Sequence, residues 1–490
     1  MARVIFLAKL ILFLFLGSCD KKQINTPLQA DNLLAKIDNK VITVNDFIKR
    51  CEYVPRPAYC RGNTYVHKKI ALNSLIAEKI LSIEFDKYKY ELTDSQRSMI
   101  QGQKEQAMRH LMLKKIGFEK VKIDSAELEY LMKLSKRQYD IDFIIIDKES
   151  VSKISDLNGL ENLNELKNVI GINRDINNRK LTFYDDMAKQ VKETLFYGHQ
   201  TLDSIYGPFS IQNDQMIFLQ IKGWITNPDI TVKQKQETLE IVRQDYIESE
   251  ALKIFGEYVA SIMQGKIIDF DEDIFKSFSN KLKKIYLVER DKKEQAMENS
   301  IWEINQKAEV TSFDEIKELA DQNILLLDGE QFTVRDILGM IKKHPLVFRN
   351  KRIKNSSFFK ELQYALADLF RDMHITEKAY KIGLDKDPDI KYLEEKWSDN
   401  VKANTLQLTF SGTYNNKIAL DKKMVAKIDS LQQAYSNSIE IDMDKFEKIT
   451  LSSLDMSVMY LNQPYSKLEP EFPILTDDHV LDFGRMITFD

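Results

Sequence analysis

Histidine, cysteine and clustered carboxylates are the residues here that could do chemistry, and their spacing narrows it sharply. The six histidines, His67, His110, His199, His344, His374 and His479, form no H-x-x-x-H pair or His/carboxylate set suited to zinc. Asp269, Asp271 and Asp273 alternate acids, yet the glycine and distal glutamate of an EF-hand loop are missing. Such alternation fits a solvated strand edge or a helix cap. There is no P-loop and no G-x-S-x-G element. The sequence therefore asks for no metal and no cofactor. Cys51 and Cys60 bracket EYVPRPAY, a proline-stiffened segment able to fold back as a loop. They are candidates for a structural disulfide, or for two unpaired thiols with one half buried.

The third cysteine follows a different kind of segment. Arg3 and Lys9 flank or interrupt an apolar run, Val4 to Leu16, which is too short to span a bilayer comfortably. It reads as a secretory signal peptide, residues 1–18. Leu16-Gly17-Ser18-Cys19 resembles the lipobox of bacterial lipoproteins. The resemblance implies cleavage before Cys19, acylation of Cys19, and a body anchored to a membrane in the periplasm or other extracytoplasmic space. Residues 19–33 would then be a tether.

The elements that must position everything else come in two copies. Ala35 to Arg50 (AKIDNKVITVNDFIKR) is repeated as Leu325 to Met340 (LLLDGEQFTVRDILGM), with Asp38, Thr43 and Asp46 matching Asp328, Thr333 and Asp336 at one offset of 290 residues. Each copy is a short apolar strand, a two-residue turn suited to a tight hairpin, a second strand, and a T-x-x-D capping box that opens a helix. A second pairing, residues 267–275 with 438–446, has an offset of 171 residues, so the second copy lacks an insert of 119 residues.

At 490 residues, with few glycines and long 3.6-period stretches, the chain reads as mainly α with two to four domains. The insert carries YDIDFIIID (139–147) and QMIFLQI (215–221), two buried strands around helices, a small α+β domain. Over the whole chain, 71 Lys and Arg nearly balance 75 Asp and Glu, which excludes a basic nucleic-acid footprint as the main idea. The expected plan is a helical module at 34–137, the insert at 138–225, and a returning helix and strand of the first module at 226–282. A connector at 283–322, a second module without the insert at 323–450, and an extended tail at 451–490 complete it.

The export signal, the D-N-x-V-I-T-V-x-D-F hairpin, a helical arm with LNSLIAEKIL, the α+β insert and the returning helix together resemble the SurA/PrsA/PpiD group of periplasmic chaperones and parvulin-type peptidyl-prolyl isomerases. The resemblance runs from Asn32 to about Phe278 and returns, without the insert, from about Ile324 to Ile449. It implies two SurA-like helical modules that hold unfolded or extended polypeptides, including exported or outer-membrane proteins, around one parvulin-like domain. Phe143 and Met216 stand where parvulins resembling this one carry histidines, and the glycine-rich turn between them is missing. The resemblance therefore implies a degenerate domain with no catalytic residues, in a membrane-anchored chaperone. An isomerase with an atypical site, or a structural lipoprotein subunit of an envelope assembly machine, are the readings left open.

Overall fold

The computed structural model describes residues 32–151, 160–211, 215–229, 231–299, 314–349, 353–411, 422–452 and 469–489. The expected leader, Cys19 and nearly all of the expected tether lie outside the described residues. The chain is mostly helical with small sheets, as expected of a mainly α protein carrying a little β structure. It divides into two compact units: residues 115–255, and residues 19–114 together with 256–490.

In chain order the first elements are strands β1 (Leu33–Ile37) and β2 (Lys40–Thr43), then helices α1 (Val44–Glu52), α2 (Tyr65–Lys87), α3 (Asp94–Ile116) and α4 (Ser125–Ser135). The insert follows as β3 (Arg137–Asp147), α5 (Leu163–Ile170), β4 (Asn177–Leu181), α6 (Lys189–Phe196), β5 (Ile205–Ile211) and β6 (Gln215–Thr226). After it come α7 (Val232–Met263), β7 (Ile268–Phe270), α8 (Glu272–Asn299), β8 (Asn323–Leu327), β9 (Glu330–Thr333), α9 (Val334–Lys343) and α10 (Phe358–Lys381). The chain closes with α11 (Pro388–Ser411), α12 (Lys422–Ala434), β10 (Ile439–Ile441), α13 (Met443–Lys448) and β11 (Arg485–Met486).

The unit of residues 115–255 is built on an antiparallel sheet of order β4-β3-β6-β5. Alternation along β3 and β6, interrupted by one bulge at Asp140/Ile141, feeds two cores, one on each face. Tyr139, Ile141, Leu219 and Ile221 join α4 and α6 on one face. Ile144, Ile146 and Phe218 meet Leu163 and Leu166 of α5 on the other.

In the larger unit both repeated hairpins form as their residues dictate. Asp38 and Asp328 take the left-handed turn conformation, at φ 53° and 52°. Thr43 caps α1 and Thr333 caps α9, each in a reciprocal capping box with the aspartate three residues on. What differs from the expected plan is which strand completes each hairpin. β10, from the far end of the chain, pairs antiparallel with β1, while β7 pairs antiparallel with β8. The strand at 226–282 thus completes the second hairpin, not the first. Ile268-Asp269-Phe270 and Ile439-Glu440-Ile441 share one alternation, so neither triplet is marked for one hairpin. The residues after each strand decide. Phe275, Phe278 and Leu282 are buried with the second hairpin, and Phe446, Ile449 and Leu451 with the first.

Helix α3 meets the second hairpin's helix at a close approach. Gly102 faces the Lys343 carbonyl, where a β-carbon has no room. Beside it Glu105, 4 % exposed, accepts from Lys343 Nζ at 2.5 Å, Tyr380 Oη at 3.2 Å and lies 2.7 Å from His344 Nε2. Burial pushes this carboxyl up, but hydrogen bonds from His344, Lys343 and Gln101 outweigh it and hold it at about 2. A carboxylate with a depressed folded-state pKa stabilises above its unfolded value and loses that contribution as pH falls through the folded one. Chemical denaturation is expected to show roughly 3 kcal/mol lost between about pH 4.5 and 2 on this account. Glu105→Gln should flatten that slope; an unchanged slope would rule the contact out as its source.

Candidate functional site

Phe143 and Met216 lie on adjacent strands, but the structure does not bring them together. Phe143 pairs in register with Leu219, and Met216 with Ile146. By alternation they face opposite sides of the sheet: Phe143 packs with the α4/α6 core, Met216 with the α5 core. They do not form one site. The face that Phe143 joins carries other half-buried apolar side chains, Tyr184, Met187, Phe209 and Ile217. His199 hydrogen-bonds through Nδ1 to Tyr130 Oη at 2.9 Å and stands on neither strand. Phe143, Tyr184, Met187, Phe209 and Ile217 give this face a largely apolar character.

Cys51 and Cys60 are both free thiols and both buried, where the unpaired alternative had one of them half buried. Burial pushes each thiol up to about 12, which leaves neither reactive at neutral pH. Arg56 ties this corner together, donating to the Cys51 carbonyl at 2.8 Å and to the Cys60 carbonyl. Among the described residues no cluster of three or more His, Cys, Asp or Glu could hold a metal ion. No helix among them is long and apolar enough to cross a membrane.

The arrangement that sequence reasoning missed lies in the larger unit, where α2 and α11 carry charged and amide side chains into the interior. Arg50 of α1 pairs with Glu78 of α2, with Nη2 to Oε2 at 2.7 Å and Nη1 to Oε1 at 3.1 Å. Lys396 of α11 bridges Asp46 at 3.2 Å and Glu469 at 2.7 Å. Lys79 reaches Asp399 at 2.8 Å, and Ser82 donates to its other oxygen at 2.6 Å. Burial alone pushes Asp46 up. The Lys396 ammonium and the hydroxyls of Tyr392 and Thr43 outweigh it and hold the carboxyl well below the usual range.

These groups serve an extended segment of the chain itself, residues 469–489. Arg50 Nη2 and Asn400 Nδ2 both donate to the Glu471 carbonyl, at 2.5 and 3.0 Å. Gln407 Nε2 donates to the Ile474 carbonyl at 3.1 Å, Ser74 Oγ to that of Thr476 at 3.3 Å, and Asn73 Nδ2 to that of Asp478 at 2.9 Å. Phe472, Leu475, Leu481 and Phe483 sink into the same core as the first hairpin. Side chains of α2 and α11 thus read main-chain carbonyls, which every polypeptide offers, while apolar pockets take the side chains. Nothing in LNSLIAEKIL says that its Asn73 and Ser74 face an extended segment some 400 positions away. Their position as polar residues inside the run Ile70 to Ala77 is the only signal.

Compared with known protein families, curated proteins and solved structures, the chain matches none.

Proposed function

We propose that this chain is a membrane-anchored chaperone of the cell envelope, tied down by lipid at Cys19, that holds unfolded or extended polypeptides without isomerising them. The observation that carries the reading is the mode of holding residues 469–489. Buried amide and guanidinium donors bind the carbonyls of Glu471, Ile474 and Asp478 along an extended chain, and the apolar core takes Phe472, Leu475, Leu481 and Phe483 of the same segment. The half-buried apolar face around Phe143, Phe209 and Ile217 is a second surface suited to weak contact with aromatic or aliphatic segments. The absence of a histidine at Phe143 and at Met216 supports holding over catalysis. The body of the protein would work on exported proteins, with no nucleic acid and no cofactor involved.

The test uses the full-length protein with two unrelated chemically unfolded proteins and a short labelled Ala-Pro peptide. Suppressed aggregation of both, with line broadening but no accelerated cis/trans exchange of the peptide, is expected. Accelerated exchange would make the chain an isomerase. Failure to protect either protein would remove the chaperone reading.

A further inference from the structure

The two hairpin sheets are the same device at different stages of completion. In the first, β10 is flanked by β1 on one edge and by β11 on the other, giving the order β11-β10-β1-β2. In the second, β7 has β8 on one edge and, among the described residues, no strand on the other. The equivalence of β7 and β10 is shown by their hydrogen bonds. Asp38 N–H donates to the Ser438 carbonyl at 2.9 Å, and Asp328 N–H to that of Ile267 at 3.1 Å. Asp442 N–H donates to the Leu34 carbonyl at 2.9 Å, and Asp271 N–H to that of Ile324 at 3.0 Å. Each pair obeys the offsets of 290 and 171 residues seen in the sequence.

On β10 the added strand runs parallel, with Glu440 opposite Arg485 and Ile441 opposite Met486. Ile487 N–H donates to the Ile441 carbonyl at 3.0 Å, and the Arg485 guanidinium pairs with Glu440. The cover leaves Ile439 and Ile441 fully buried. At the equivalent positions Ile268 and Phe270 are only half buried, Asp269 is exposed, and Ile267 is 70 % exposed. Since Ile267 and Asp271 bond to the hairpin, alternation turns the N–H and carbonyl of Ile268 and Phe270 to the open edge. Over the face of this sheet, a cleft of about 560 Å³ is lined by Lys266, Ile267, Asp269, Leu326 and Asp328. One feature is not repeated: Lys445, which donates to the Phe489 carbonyl at 3.0 Å, is replaced by Ile274.

We propose that the open edge of β7 is a strand-addition site for an extended segment of a client polypeptide, running parallel to β7, with a basic residue opposite Asp269 followed by an apolar one. Main-chain bonds to Ile268 and Phe270 supply binding that ignores sequence, and Asp269 supplies the preference. The inference deepens the chaperone reading and rests on it.

The probe is a fluorescent peptide with the sequence of residues 481–489, LDFGRMITF, added to the full-length protein. Binding is expected, with slowed hydrogen exchange at the Ile268 and Phe270 amides. Asp269→Lys should weaken it about two- to five-fold, the range of an exposed ion pair, and a peptide with glutamate in place of Arg485 should recover that loss. The Asp269 side chain is exposed, so melting should not change; Asp269→Asn repeats the test without charge reversal. Affinity indifferent to Asp269 would overturn the proposal. So would Ile268 and Phe270 amides already slow in the free protein, since another segment or a second copy would then cover the edge. If affinity is indifferent to Asp269 while the protein still suppresses aggregation, only strand addition falls. If the unaltered protein suppresses none, the chaperone reading falls with it.

Discussion

Replacing Glu78 by alanine is expected to cost about 3–5 kcal/mol of stability, the usual penalty for leaving one member of a buried ion pair behind. Arg50 is 1 % exposed, and its guanidinium has two bonds to Glu78 and one to the Glu471 carbonyl. Without the carboxylate, a cation stays in the core with one partner, and Asn400 loses its 2.7 Å bond to Glu78 Oε2 as well. Arg50→Met together with Glu78→Leu should recover most of the loss, because the apolar pair carries no charge into the interior. The measurement is chemical denaturation of the single and double variants. A single variant within 1 kcal/mol of the parent would mean that water reaches the pair, and that the pair is not a fixed part of the carbonyl-binding arrangement.

Removing residues 469–490 should have a still larger effect, confined to the unit that holds them. The deletion empties the sites of Phe472, Leu475 and Leu481, all buried. It also leaves Asn73, 0 % exposed, without its carbonyl acceptors at Asp478 and Val480, and takes Glu469 from Lys396. Buried apolar side chains cost about 2–5 kcal/mol each when removed, and each orphaned polar group about 1–3 kcal/mol. That sum exceeds the stability of an ordinary domain. The expected result is cooperative loss of the core built on β1, β2 and α2, while residues 115–255 keep their own core and hydrogen-exchange protection. Adding the peptide 469–489 in trans should restore protection at α2. Restoration would show directly that this core accepts an extended chain not covalently joined to it. A truncated protein as stable as the parent would show the segment to be an ornament, and would take away the main support for polypeptide holding.

The two experiments bear on one point. The donors that hold the C-terminal segment are not spread over the surface but sit on α1, α2 and α11, each fixed by ion pairs that surround it. Preorganised donors lose little freedom on binding, so the bond to each carbonyl is gained at small entropic cost. The same arrangement explains why a long helix with so many buried residues carries Asn73, Ser74, Glu78 and Ser82 among them.

Much of this was legible locally. The D-N and D-G turns, the T-x-x-D boxes, the alternation of 139–147 and the two offsets are short-range features. Hairpin geometry and capping depend on residues within three or four positions, so the sequence alone determined both hairpins, the helices they open and the α+β insert. Tertiary structure decided the rest. Strand triplets of identical alternation cannot name their partner, so only packing of Phe275 and Phe446 settled that β7 serves the second hairpin and β10 the first. The resemblance put Phe143 and Met216 at the two histidine positions of one domain, yet their odd separation in register places them on opposite faces of the sheet. Asn73 and Ser74 of α2 meet carbonyls about 400 positions away, a contact no local pattern encodes because a backbone carbonyl is the same in every residue.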